Sequence, residues 1–584
     1  MSKQGLRLFV IFCTSWIFSS PSHALPVAGY KGVVSSGSAL ASEVGTSLLR
    51  AGGNAVDAAV GTAFALAVVE PYMSGLGGGG FALVHQKGTH TFLDFRETAP
   101  AAAHMHMFMR EGVPQLLQAR DSALAVAVPG AVKGYLELLE TRGTLSRAQV
   151  IQPAVDLALK GFPVDARYIH YATLRLEALQ KDPGMREVFL IRNPHTGTYE
   201  VPPAGTPIVQ PALARTLQTL IQKGAPGFYE GNIANSLVED QKRRGGLITH
   251  ADLLHYHTRT HAPLVGSYKG HAVITAPPPS SGGVLLLTML NILETLPPEE
   301  PWHSVRQVHT LIEAAKQAYA DRALLGDPAH VKNMPQTVEG LVAKDRALLL
   351  ASLIDTHKAM PASDVSPGKG AQLPFQRTWE PVLENTSTNT THLSVMDKNG
   401  EAVSMTTTIN YAFGAGFMVQ ETGVVMNDEM DDFSIAPGIA NAYGIVGSKA
   451  NAVAPHKVPL SSMTPTFILN TTDPQSPVVC ALGSPGGSRI PTAVAQAIVN
   501  HVAYGMDIEQ AINMPRLHHQ HIPNTTYAEP FALEPVTQKT LEEWGHNFTP
   551  QNPWCNATAV TFEPNTKLRK GSADRRGVGC SKLE

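Results

Sequence analysis

Hydrophobic and polar positions alternate most cleanly in Thr391-His392-Leu393-Ser394-Val395-Met396-Asp397. Thr391, Leu393, Val395 and Asp397 fall on one strand face; Thr390, His392, Ser394 and Met396 fall on the other. Lys398-Asn399-Gly400 follows, and Asn-Gly signals a tight hairpin because both residues tolerate positive φ. The return strand is predicted over 401–410. On it Thr406, Thr408 and Asn410 share a face, which is either solvent-facing or a polar site. A Pro-containing, Ser/Thr/Asn-rich stretch, 371–388, precedes the hairpin, so Thr390 stands where a loop feeds a strand.

Other periods predict the remaining elements. Residues 42–69 read as helix, rich in small residues suited to close packing on a sheet and interrupted by Gly52-Gly53-Asn54. The glycines of 75–80 lack the Lys-Ser/Thr ending of a phosphate loop; they predict close backbone approach ahead of a strand over 81–85. Residues 91–97 alternate as a strand ending in Arg96-Glu97. Residues 130–330 read as mostly helical, with helices after Pro129-Gly130 and over 150–161, 284–296 and 304–325. The proline-stiffened loop 276–283 reads as structural. Residues 333–376 read as a mobile end, and 490–504 as a helix.

Composition alters this picture only at the edges. A chain of 584 residues, 43% hydrophobic, 16% charged and with net charge −3, is globular, with no basic excess to suggest nucleic acid. Lys3 and Arg7, the apolar run 8–18 and Ser22-His23-Ala24 predict an export signal over 1–24, cleaved to give a periplasmic or secreted protein. The run is shorter than the ~18–20 residues that a membrane span needs. Cys480, Cys555 and Cys580 remain after cleavage, too few for a disulfide framework, although Cys555 and Cys580 could pair.

Taken alone, Thr390 is most simply an ordinary strand residue. Its hydroxyl becomes a useful nucleophile if the bond from Asn389 is cut, because the freed α-amine, with an ordinary pKa of about 7.7–8.0, can take its proton. Arg96, alone, reads as an ion-pair partner. Residues 427–433 concentrate Asp428, Glu429, Asp431 and Asp432 without calcium-loop spacing. Ser461-Ser462 reads as a turn. Gly486-Gly487 offers bare backbone N–H groups ahead of a helix. His518, His519 and His521 lack a fourth ligand at metal spacing, so neither metal nor other cofactor is expected.

In order, Thr390-Thr391-His392, Thr406-Thr407-Thr408-Ile409-Asn410, Phe413-Gly414, Asn427-Asp428-Glu429-Met430-Asp431-Asp432-Phe433, Pro459-Leu460-Ser461-Ser462-Met463 and Ser484-Pro485-Gly486-Gly487-Ser488-Arg489 resemble the γ-glutamyltranspeptidase family of N-terminal-nucleophile hydrolases, over nearly the whole mature chain. The resemblance implies an α+β fold, the four-layer αββα sandwich. It implies a precursor that cuts itself between Asn389 and Thr390, leaving a large subunit (25–389) and a small one (390–584) together as a heterodimer. By the same resemblance Thr390 is the nucleophile, Thr408 bonds its hydroxyl, and Gly486 and Gly487 form the oxyanion hole. Arg96, Ser461 and Ser462 hold the substrate α-carboxylate; Asn410, Glu429 and Asp432 hold the α-ammonium; Tyr443, on the Gly-hinged stretch 437–452, covers the site. The implied substrates are glutathione and other γ-glutamyl compounds, with water, an amino acid or a peptide as acceptor. Two alternatives stand beside this: a glutaryl-cephalosporin acylase of the same superfamily, and a non-enzymatic secreted binding protein. A glutaryl group has no α-amine, so Asn410, Glu429 and Asp432 together favour γ-glutamyl. A full set of nucleophile, oxyanion glycines and carboxylate clamp argues against a mere binding protein.

Overall fold

The computed structural model describes residues 26–297, 299–371, 389–435 and 447–584. The expected export signal and Tyr443 lie outside the described residues. The hairpin forms as its alternation demands: Thr391–Met396 pairs antiparallel with Ala402–Thr408, from Thr391 opposite Thr407 to Met396 opposite Ala402. Its turn is not a two-residue Asn-Gly turn. Asp397 and Glu401 close a three-residue loop in which Gly400 alone takes a positive φ, +86°.

This hairpin lies inside a seven-stranded antiparallel sheet ordered Arg259–His261, Thr89–Asp94, Gly79–Gln86, Ala402–Thr408, Thr391–Met396, Val33–Ser36, Cys580–Leu583. A second seven-stranded antiparallel sheet runs Val27–Gly29, Arg569–Ala573, Thr558–Phe562, Val478–Gly483, Thr466–Leu469, His271–Thr275, Leu264–Tyr268. The sheets face each other. Leu393, Val395, Val403 and Met405 point outward into a core shared with the helices Ala39–Arg50, Ala55–Val69 and Ala131–Arg142. The second sheet packs its Val273, Ile468 and Cys480 into a core shared with the helices Gly282–Leu293, Val305–Asp321 and Ile490–Ile498. The result is the four-layer αββα sandwich. Each sheet takes strands from both sides of Asn389, so neither part alone can complete a sheet or bury its faces.

Small residues set the layer spacing. Asn54 caps Ala55–Val69 through a capping box with Asp57, which ends the preceding helix and starts this one. All of Ala55–Val69 is buried, because the sheet covers one side and Ala39–Arg50 the other. A Cβ on Gly45 would lie 2.2 Å from Thr62 Oγ1. The glycine run serves the same purpose: a Cβ on Gly78 would sit 2.0 Å from the Thr408 carbonyl oxygen.

Two expectations fail. The region 130–330 is not mostly helical throughout, since it contributes the strands Arg259–His261, Leu264–Tyr268 and His271–Thr275. Those short strands are stabilised by pairing with Asp94 and Thr466, distant in sequence, which no local period reveals. Nor is 333–376 simply a mobile end: Met334–Val342 and Lys344–Ser352 are helices that bury Leu341 and Leu350 on the core. Cys480, Cys555 and Cys580 are all free thiols, so the Cys555–Cys580 pair does not form. Among the described residues no helix is long and apolar enough to cross a membrane.

Candidate active site

The polar face of the hairpin is neither solvent-facing nor idle. Thr406, Thr408 and Asn410 are buried at the junction of the two sheets. His392 bonds Thr406 Oγ1 at 2.8 Å and Ser394 Oγ at 3.1 Å, and burial lowers its pKa to about 3, so it stays neutral and structural. At the end of this face the Thr390 and Thr408 hydroxyls are 3.1 Å apart. The Asn410 N–H donates to Thr408 Oγ1 at 2.9 Å, which leaves the Thr408 proton free to point at Thr390.

Thr390 carries a backbone φ of +120°. For a β-branched residue this is strained, by about 1–3 kcal/mol. The clash behind that strain involves the carbonyl of the preceding residue, so scission of the Asn389–Thr390 bond would relieve it.

Three loops bring the other groups to Thr390. Arg96 follows the strand Thr89–Asp94, its N–H fixed by Asp94 Oδ1 at 2.8 Å, and Asp94 is itself held by Arg259 at 2.8 Å. The acidic turn Glu429–Asp432 is anchored by Asn427. Its amide donates to the Gly77 and Ala127 carbonyls and accepts from Ala127 and Glu429 N–H, at 2.7–3.0 Å. Ser461 hangs from the proline-stiffened loop: its N–H donates to the Pro279 carbonyl at 2.9 Å, and its own carbonyl accepts from Ser281 N–H and Oγ.

Arg96 is buried and pairs through one Nη with Glu429 and through the other with Asp432. With these pairs made, the space between Arg96, Thr390, Thr408, Asn410, the acidic turn, Ser461, Ser462 and Gly487 is about 20 Å³, room for roughly one water. The clamp is thus closed on itself. Gly486 and Gly487 have φ of +136° and +56°, and Gly487 opens the 3₁₀ turn that leads into Ile490–Ile498. The first N–H groups of such a helix have no intrahelical acceptor, and Gly487 lines the Thr390 pocket.

A profile of the family described as Gamma-glutamyltranspeptidase matches residues 41–582. The chain belongs to the γ-glutamyltranspeptidase family. It is 42% identical to the glutathione hydrolase proenzyme of Pseudomonas sp. (strain A14) over 96% of this chain and 93% of that one. It is 40% identical to the glutathione hydrolase proenzyme of Escherichia coli (strain K12) over 95% and 92%. Among solved structures it resembles the cephalosporin acylase of Bacillus halodurans (TM-score 0.82, 26% identity, 98% and 99% covered). It also resembles the γ-glutamyltranspeptidase of Helicobacter pylori (TM-score 0.54, 37% identity, 58% and 96% covered).

Two residues of this γ-glutamyltranspeptidase-family site were not singled out from the sequence. Glu97 is buried behind Arg96, with Oε2 4.0 Å from Arg96 Nη1. Burial and the Glu429 charge push Glu97 well above the usual carboxylate range, so its carboxyl holds a proton. Burial also raises Glu429, against the pull of Arg96, to about 7. The second residue is Arg322, just past Val305–Asp321. It donates to the Leu460 carbonyl at 3.2 Å and its charge faces Asp432, while burial lowers it to about 10. The acid after Arg96 was visible as half of a charged pair. Arg322 gave no signal, because only the packing of a distant helix brings it near. His518 and His521 bond Thr492 and the Ala362 carbonyl respectively.

Proposed function

We propose that the chain is a self-processing γ-glutamyltransferase and glutathione hydrolase whose nucleophile is Thr390. The observation that carries the reading is the contact between the Thr390 and Thr408 hydroxyls, 3.1 Å apart, in a pocket that also holds Arg96, the acidic turn and Gly487. In the precursor, Thr390 Oγ attacks the Asn389 carbonyl carbon; the C–N bond breaks, its nitrogen takes the hydroxyl proton and becomes the α-amine of Thr390, and water then hydrolyses the resulting Asn389 ester, freeing the Asn389 carboxylate and the Thr390 hydroxyl. The large and small subunits stay together through the two shared sheets.

In the mature enzyme that amine takes the hydroxyl proton as Oγ attacks the γ-carbonyl of the donor. Backbone N–H groups at Gly486 and Gly487 stabilise the oxyanion. Collapse expels the amine, which receives the proton, and leaves a γ-glutamyl ester on Thr390. Water resolves the ester as hydrolysis; an amino acid or peptide amine resolves it as transfer. A glutamyl group is zwitterionic at its α-carbon, so it opens the closed clamp by exchange. Its α-carboxylate takes Arg96, with Ser461 and Ser462, and its α-ammonium takes Glu429, Asp432 and Asn410. Opposite charges on one carbon replace each ion pair the clamp gives up. Export by the 1–24 leader, to the periplasm or the medium, belongs to the same reading.

The structural likeness to a cephalosporin acylase makes a glutaryl donor the second reading. A glutaryl group would leave Glu429 and Asp432 without a cation, which a buried carboxylate pair tolerates poorly. Release rates from γ-glutamyl- and glutaryl-p-nitroanilide decide between them: a glutaryl preference, or a small subunit that begins elsewhere than Thr390, would overturn the proposal.

A further inference from the structure

A second, separate pocket of about 60 Å³ lies on the other side of the oxyanion glycines, lined by Arg167, Gly486, Trp554, Asn556 and Arg576 among others. Gly487 borders the first pocket and Gly486 the second, so the two flank the point where an acyl carbon would sit. The backbone at Gly486 is pressed against this wall: a Cβ there would lie 2.1 Å from Cys555 Sγ.

The wall is cationic and built. Arg167 is held by Glu70 at 3.1 Å and donates to Asn556 Oδ1 at 2.9 Å. Arg576 is held by Glu529 and Asp574, at 2.8 and 2.9 Å. Trp554, which lines the pocket and is only 4% exposed, has an Nε1 with no acceptor; Arg489, which does not line it, has an Nη2 without one, and its guanidinium lies 4.8 Å from the Trp554 ring. Buried N–H groups left without acceptors are costly, and where they gather beside guanidinium groups they suit an anion. At roughly 10–15 Å³ of such space per water, the pocket takes a carboxylate and the atoms that join it to an amine.

We propose that this pocket binds the carboxylate of the amine partner: the peptide that departs from the donor and, by reversibility, the amino acid or peptide acceptor that replaces it. The proposal rests on the γ-glutamyl reading. It requires that a glutamyl group in the first pocket present its scissile nitrogen past Gly486, toward Arg167 and Trp554.

The test uses the matured enzyme and three donors: γ-glutamylglycine, γ-glutamylglycinamide and γ-glutamyl-p-nitroanilide. The wild type should favour the free carboxylate over its amide by about tenfold or more in kcat/KM, one charge-assisted hydrogen bond's worth. That ratio should fall at least about threefold in Trp554→Phe, which keeps the ring and loses the N–H, and toward one in Arg167→Gln. A wild-type ratio within about twofold of one, or a ratio that neither variant moves, overturns the pocket's assignment. If Arg167→Gln does not mature, the wild-type ratio and Trp554→Phe still decide. Absence of p-nitroaniline release from the wild type would instead sink the γ-glutamyl reading itself.

Discussion

Thr408→Val tests the site at its centre. Valine keeps the shape of the side chain and removes one oxygen. Two hydrogen bonds go with it: the 3.1 Å contact to Thr390 Oγ1 and the 2.9 Å bond from the Asn410 N–H. The second loss leaves a buried N–H without an acceptor, a stability cost of about 1–3 kcal/mol. The first removes a donor from an oxygen that carries growing negative charge as its proton leaves. Hydrogen bonds to charged groups contribute about 1.5–3 kcal/mol, so turnover should fall roughly 10- to 150-fold at 1.36 kcal/mol per decade. Because the same oxygen attacks in both reactions, self-cutting should slow by a similar factor. Denaturing gels over a time course measure the cutting, and initial rates of p-nitroaniline release measure turnover. Thr408→Ser restores the hydroxyl and should recover most of both. Cutting and turnover within twofold of wild type in Thr408→Val, or a serine variant as slow as the valine one, would refute the reasoning.

Thr390→Ala should leave one undivided band and no γ-glutamyl release; a cut, active alanine variant is incompatible with the mechanism. Two groups of the free enzyme must lose protons, the Thr390 α-amine and Glu429, whose pKa burial raises to about 7. Below pH 6.5 log kcat/KM should therefore rise with a slope near two, and Glu429→Gln, which cannot titrate, should cut the slope to about one. An unchanged slope would show that Glu429 is already ionised. Arg96→Met leaves Glu429 and Asp432 facing each other in a buried site without their cation, at about 3–5 kcal/mol of stability. Thermal melts should show that loss at pH 8 and much less at pH 5, where Glu429, raised to about 7 by burial, takes a proton; an equal loss at both would point to packing instead. Gly486→Ala should abolish turnover, since its Cβ meets Cys555 Sγ at 2.1 Å, and loss of one oxyanion donor alone costs about 10²–10³ in rate.

The local pattern was enough for the hairpin, the cap at Asn54 and the close approach of the glycine run. In each case the physical requirement, alternation, a side-chain acceptor or a missing Cβ, is met within a few residues of chain. The ordered motifs, read through their resemblance to a family, pointed to the αββα sandwich and to every candidate site residue that the structure brings to one pocket: Arg96, Thr390, Thr408, Asn410, Glu429, Asp432, Ser461, Ser462 and Gly487. Gly486 lies next door and lines the second pocket. Other features were beyond any local reading. Whether the Thr406–Thr408–Asn410 face met water or protein depended on a second sheet drawn from both ends of the chain. The strands within 130–330 exist only because distant partners pair with them. Glu97 and Arg322 acquire their electrostatic roles from burial against Glu429 and Asp432, residues more than a hundred positions away. Chain order decides which side chains are available and which backbone shapes are allowed. Charge state and burial depend on what lies across the fold, and that is decided only when the layers close.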